Sequence, residues 1–227
     1  MGGMPAPRSV KIGDDERGGW SSDRPRRSGP GGPGRPGGGD GAEGRPRVVD
    51  VSVRGRVLAP TDRLSYVPGS LVVIVSGSRE ERDRFAARVV EDKSAIVSLA
   101  KVRNVLKGRV ADEELDEKAS QLLDAAVGKR LQSGQSVILL TETASASERE
   151  RFVRPAHASR RPRHLILLEV PGDRIADDDD RPALNELRRA VEAGGVGSEG
   201  FHTALRLGGP TISELKRLVF REPPPED

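Results

Sequence analysis

Residues 71–85 read LVVIVSGSREERDRF. An unbroken apolar run from Leu71 to Val75 leads into Ser76-Gly77-Ser78, and a charged stretch with Phe85 at helical spacing follows. Strand, small-residue turn and helix is the order that opens a phosphate-binding loop, because the helix N-terminus offers unpaired N–H groups to an anion. The residues inside this turn argue the other way. Arg79, Glu80, Glu81 and Asp83 stand where an anion cradle needs glycines, a lysine and a hydroxyl. The stretch Ser78-Arg79-Glu80-Glu81 also fits a capping box, in which the serine caps the helix and Glu81 reaches back to the N–H of the cap.

Downstream, strand and helix alternate. A helix is expected from about 79 to 91, with Phe85, Arg88, Val89 and Asp92 in its repeat, and AIVSL (95–99) reads as a second strand. DEELDEKASQLLDAAVGKRL (112–131) is the clearest helix, with acids at its start and Leu115, Ala119, Leu122, Leu123 and Ala126 on one face. SVILLT (136–141) and HLILLEV (164–170) are continuous apolar runs, as suits parallel strands covered on both faces. Between them lies a helix with Ser145 or Ser147 as its cap. LNELRRAVEA (184–193) reads as a helix, TALRL (203–207) as a last strand, and TISELKRLVF (211–220) as a terminal helix with the pattern Thr211…Glu214. The expected architecture is an α/β doubly wound, mainly parallel five-stranded sheet, whose ligands sit at the carboxyl ends of strands.

Upstream, VVDVSVRGRVLAP (48–60) alternates apolar and polar as a short strand or hairpin does. Residues 1–46 are rich in Gly, Pro and Arg without apolar periodicity and read as a disordered tail. The folded domain is then expected over 47–220, with 221–227 a disordered C-terminus. The tail reads either as an arm that touches nucleic acid or an acidic partner, or as a solubilising tail or over-long start.

Of the 227 residues, 32% are charged and 34% apolar, and 38 basic residues nearly balance 35 acidic ones, for a net charge of +3. That balance argues against a chain committed throughout to nucleic acid. The absence of cysteine excludes disulfides and thiolate metal sites. His157, His164 and His202 show no ligand spacing and read as surface or packing residues. SRRPR (159–163) reads as an exposed basic turn. No apolar run reaches the ~18–20 residues of a membrane span, and the N-terminus lacks the apolar stretch of a signal peptide. A cytoplasmic protein without membrane contact is expected.

Over about residues 65–210 the layout resembles the small P-loop kinases, in particular the kinase module of bacterial polynucleotide kinases. YVPGSLVVIVSGS…RFAARVV (66–90) is similar to the strand and first helix around that family's P-loop. VSLAKVRNVLKGRVADEELDEKASQLLDAAVGKRLQSGQSVILL (97–140) is similar to its second strand, following helix, long helix and third strand. EGFHTALRL (199–207) resembles its closing turn and final strand. The resemblance implies where a site would lie. With the motif G-x-x-x-x-G-K-[ST], one register places Ser76 and Glu81 at the glycines, Arg82 at the lysine and Asp83 at the hydroxyl. Starting at Gly77 instead places Arg82, Asp83 and Arg84 at the last three positions.

Other family positions differ as well. The acceptor-activating Asp after the second strand is matched by Ala100, while Arg103 matches an arginine near the acceptor. The third-strand Asp-Ala-Thr-Asn is matched by Leu140, Thr141, Glu142 and Thr143. The lid is matched by GDRIADDDDRP (172–182), with Arg174 and Arg181 as its remnants; the run of four aspartates, Asp177 to Asp180, reads as a solvated linker.

Because phosphoryl transfer depends on positioned charges acting together, these changes imply a catalytically degenerate protein that acts by binding. It would be a scaffold, adaptor or regulatory pseudoenzyme with an unidentified protein partner and no nucleotide or metal cofactor. The alternatives are an ATP- and Mg²⁺-binding phosphotransferase using Arg82 for the lysine and Glu142 for the metal, or a nucleic-acid-associated protein using the Arg/Gly tail and a groove around Arg103.

Overall fold

The computed structural model describes residues 63–222. The tail at 1–46, the strand or hairpin expected at 48–60 and residues 223–227 lie outside the described residues. The first strands are β1 (Arg63–Tyr66) and β2 (Leu71–Ser76), followed by helix α1 (Arg79–Val89). Then come β3 (Ile96–Ser98), α2 (Leu99–Leu106), α3 (Asp112–Gln132), β4 (Val137–Leu140), α4 (Ala146–Ala158) and β5 (Arg163–Glu169). The chain continues through α5 (Asp180–Glu192), β6 (Thr203–Gly208), α6 (Pro210–Glu214) and β7 (Arg217–Phe220).

Five strands form one parallel sheet in the order β3-β4-β2-β5-β6. β2 lies at its centre with all six residues buried, which is why its sequence is apolar without alternation. Its side chains divide between two cores. Leu71, Val73 and Val75 pack with Leu123, Val127 and Leu131 of α3, Phe152 and Val153 of α4, and Leu184, Leu187 and Val191 of α5. Val72 and Ile74 face Phe85, Ala86 and Val89 of α1, together with Leu207, Leu215 and Leu218. Helices on both faces of a parallel sheet make the domain doubly wound, as the alternation of elements predicts.

Two expectations are corrected. Residues 211–220 are not a helix: α6 starts one residue earlier, with Pro210 in its first turn, and stops at Glu214. β7 then pairs in parallel with β1, and Val90 bridges Leu218. Leu215, Leu218 and Val219 are buried as they would be on a helix. A short apolar run satisfies both periods, and here the open edge of β1 decides. In α3 the buried stripe is Ala119, Leu123, Val127 and Leu131, while Leu122 is exposed. The face therefore continues by steps of four residues toward the C-terminus rather than through Leu122 and Ala126.

Candidate functional site

The carboxyl edge of the sheet holds the turn between β2 and α1. Ser76 ends the strand, and its Oγ accepts the N–H of Ser78 at 3.2 Å. Ser78 is extended and caps α1: its Oγ accepts the N–H of Glu81 at 3.3 Å, as the sequence pattern predicts. The reciprocal half of the capping box does not form. The carboxylate of Glu81 turns outward to Arg84 at 3.1 Å and to Arg174 at 3.0 Å. Residues 76–84 contain no positive φ, so successive N–H groups do not converge into an anion nest.

The space over Gly77 is filled by Ile175, from the segment between β5 and α5, and by Leu184 of α5. A Cβ on Gly77 would meet Cδ1 of Leu184 at 2.9 Å and Cγ1 of Ile175 at 3.1 Å. Without a Cβ, Gly77 lets these two apolar side chains pack close to the backbone. The N–H of Ala176 donates to the Gly77 carbonyl at 2.8 Å, fixing the segment in place. Of the two arginines read as lid remnants, Arg174 pairs with Glu81, while Arg181 pairs with Asp178 at 2.6 Å and donates to the Gly172 carbonyl at 3.0 Å. Within the aspartate run, Asp180 starts α5 and its Oδ1 accepts the N–H of Ala144 at 3.3 Å. The cavity left among Gly77, Leu168, Ile175, Leu184 and Arg188 is about 10 Å³. That is room for one water at most, whereas small-molecule sites run to ~300–1,000 Å³.

Arg82, at the position that matches the P-loop lysine, is 1% exposed. It donates to the Thr141 carbonyl and pairs with Asp83 at 2.8 Å, stitching α1 to the end of β4. Three guanidinium groups surround the carboxylate of Glu142: Arg79 at 3.8 Å, Arg82 at 3.8 Å and Arg103 at 3.4 Å. Arg103 is held from the other side by Asp116 of α3 at 2.7 Å. Glu142 thus occupies the centre of the positive field that a phosphate would need, and the cations are neutralised within the chain. One of its oxygens, Oε1, is sealed from solvent without a hydrogen bond. Arg84 lies outside this cluster, paired with Glu80 at 2.5 Å and with Glu81 on the helix surface.

The loop after β4 is closed by Glu148, a residue the family pattern does not single out. Its carboxylate accepts the N–H groups of Glu142 at 2.9 Å and Thr143 at 2.8 Å, and the Thr143 hydroxyl at 2.6 Å. The spacing Ser145-x-x-Glu148 is itself a capping signature, and Ser145 does cap α4. Ala100 and Leu140 line a cavity of about 330 Å³ with Asp83, Lys93, Lys101 and Asn104. Its single acid among the described residues, Asp83, is already tied to Arg82. At the end of β5, burial pushes Glu169 up, but hydrogen bonds from Arg206 and Arg188 outweigh it and hold the carboxyl below its ordinary value. Among the described residues no three histidine or acidic side chains come together as a metal site.

Glu148, Ile175 and Leu184 are the residues that sequence reading missed. Only the first carries a local signal; the other two act through contacts between distant segments. No protein-family model matches the chain, and no curated protein matches it.

Proposed function

We propose that this domain keeps the architecture of a P-loop kinase-like fold without its phosphotransfer, and that it works by binding a partner protein as a scaffold or regulatory subunit. The observation that carries this reading is the filling of the phosphate position at Gly77 by Ile175 and Leu184. The neutralisation of Arg79, Arg82 and Arg103 by Glu142 supports it independently, since a triphosphate would have to displace a carboxylate already in place. An ATP-dependent reading would need the segment 172–182 to lift, Arg82 to leave the Thr141 carbonyl and Glu142 to exchange three cations for a metal. Each of these breaks contacts that are partly or wholly buried.

Calorimetric titration of the full chain with ATP, with and without Mg²⁺, tests the proposal. The expected result is no Mg²⁺-dependent heat. Micromolar binding that requires Mg²⁺ would overturn it.

A further inference from the structure

At the amino edge of the sheet, opposite the closed turn, lies an open cavity of about 550 Å³ lined by His157, Ala158, Arg160, Arg161, Arg163 and His202. Among the described residues no carboxylate lines it and none pairs with these three arginines. The turn SRRPR and two of the histidines, unremarkable as separate segments, are brought together by the end of α4, the start of β5 and the approach to β6.

Each arginine is positioned. Arg160 follows the cap of α4 with φ 55°, the one non-glycine residue in the left-handed region among those described. The N–H of Arg161 returns to the Ala156 carbonyl at 2.8 Å, closing the turn that usually places glycine at that position. A side chain is kept there against backbone preference, and its guanidinium has no partner among the described residues. Arg161 donates from Nε to the Leu131 carbonyl at 2.9 Å, with its guanidinium against the bare Cα atoms of Gly69 and Gly134. Arg163, 7% exposed, donates to the carbonyls of Gly200 at 2.6 Å and Arg161 at 3.0 Å.

His202 supplies the observation that points to a ligand. Its Nδ1 accepts the backbone N–H of Arg163 at 3.0 Å, so in the neutral ring the proton sits on Nε2. That Nε2 lies 3.1 Å from Nη2 of Arg163. Two donors at this distance cannot bond each other; they can share an acceptor. Burial lowers the pKa of His202 first, and Arg163 and His157 add to it.

We propose that this cavity binds a small phosphate-bearing ligand, with Nε2–H of His202 and Nη2 of Arg163 sharing one oxygen and Arg160 and Arg161 closing on the others. Donors arriving from several directions suit a tetrahedral dianion better than the single plane of a carboxylate. Confinement of the cations to one concavity favours a small ligand over a nucleic-acid strand, whose backbone needs an extended positive track.

The test uses the full chain and nuclear magnetic resonance, titrating with inorganic phosphate, acetate and a short single-stranded oligonucleotide. Phosphate is expected to shift the side-chain resonances of His202 and the backbone of Arg163 saturably, with Gly77 and Ser78 unmoved, while acetate does not saturate. Arg160→Gly is expected to raise the thermal midpoint yet weaken phosphate about tenfold, the worth of one charge-assisted hydrogen bond. Arg160→Gln, which keeps the strained turn, is expected to weaken it equally. The proposal is overturned if phosphate gives no saturable shift or if both variants bind as the parent does. It is also overturned if the oligonucleotide saturates the same resonances at lower concentration than phosphate.

Discussion

At Gly77 a methyl group would arrive 2.9 Å from Cδ1 of Leu184 and 3.1 Å from Ile175. Gly77→Ala is therefore expected to destabilise the domain by about 1–3 kcal/mol through overpacking. In a chemical-denaturation cycle, pairing it with Leu184→Ala should recover part of that loss, a coupling that independent sites would not show. Glu142 offers a second residue-scale test. Its removal leaves Arg82 buried against the Thr141 carbonyl with only Asp83 as counter-ion among the described residues. Glu142→Ala should cost about 2–3 kcal/mol, toward the low end for breaking a buried pair because its cations stand at 3.4–3.8 Å. Glu80→Ala, which breaks an exposed pair on the same helix, should cost under about 1 kcal/mol in the same denaturation experiment. Equal losses would contradict the role given to Glu142.

Among the elements, β5 carries a pH-dependent contact. The ring of His164 packs on Tyr66 of β1 at 4.4 Å between centroids, and its Nδ1 lies 2.8 Å from the Thr203 hydroxyl of β6. Burial first, then His202 and Arg163, lower its pKa to about 4. The unfolded chain therefore takes up a proton near the ordinary value of 6.5 that the folded chain refuses until about 4. Stability from this group is present above that window and is lost as pH falls through it, by roughly 2–3 kcal/mol. His164→Phe should flatten the dependence of the urea midpoint on pH between those values; an unchanged slope would contradict the assignment.

The same elements show what the sequence made legible. β2 and α1 were readable because burial on both faces leaves a continuous apolar run and because Ser78 marks the helix start locally. β7 was not, since Leu215, Leu218 and Val219 satisfy a helix and a strand alike until β1 provides an edge. That residues 82, 100 and 142 differ from the P-loop kinase pattern was visible in the sequence. What fills the space over Gly77 was not visible, because Ile175 and Leu184 look like ordinary core residues of a later segment.

For the domain as a whole, the turn after β2 and the amino edge of the sheet differ in what they offer a ligand. Ligands ordinarily sit at the carboxyl ends of the strands. Here the turn after β2 is closed by Ile175 and Leu184, capped by Ser78 and neutralised around Glu142. The amino edge carries a cavity whose arginines pair with no carboxylate among the described residues. A site-resolved readout separates the two edges, because an anion captured by Arg160 leaves the turn after β2 untouched. The most direct measurement follows the amide resonances of Gly77, Ser78 and Ala176 in the full chain as ATP and Mg²⁺ are raised to millimolar concentration. All three are expected to stay in place, with the Ala176 amide still protected from exchange by the Gly77 carbonyl. Saturable, Mg²⁺-dependent shifts at Gly77 and Ser78, with loss of protection at Ala176, would mean that the segment lifts and nucleotide enters, contradicting the account.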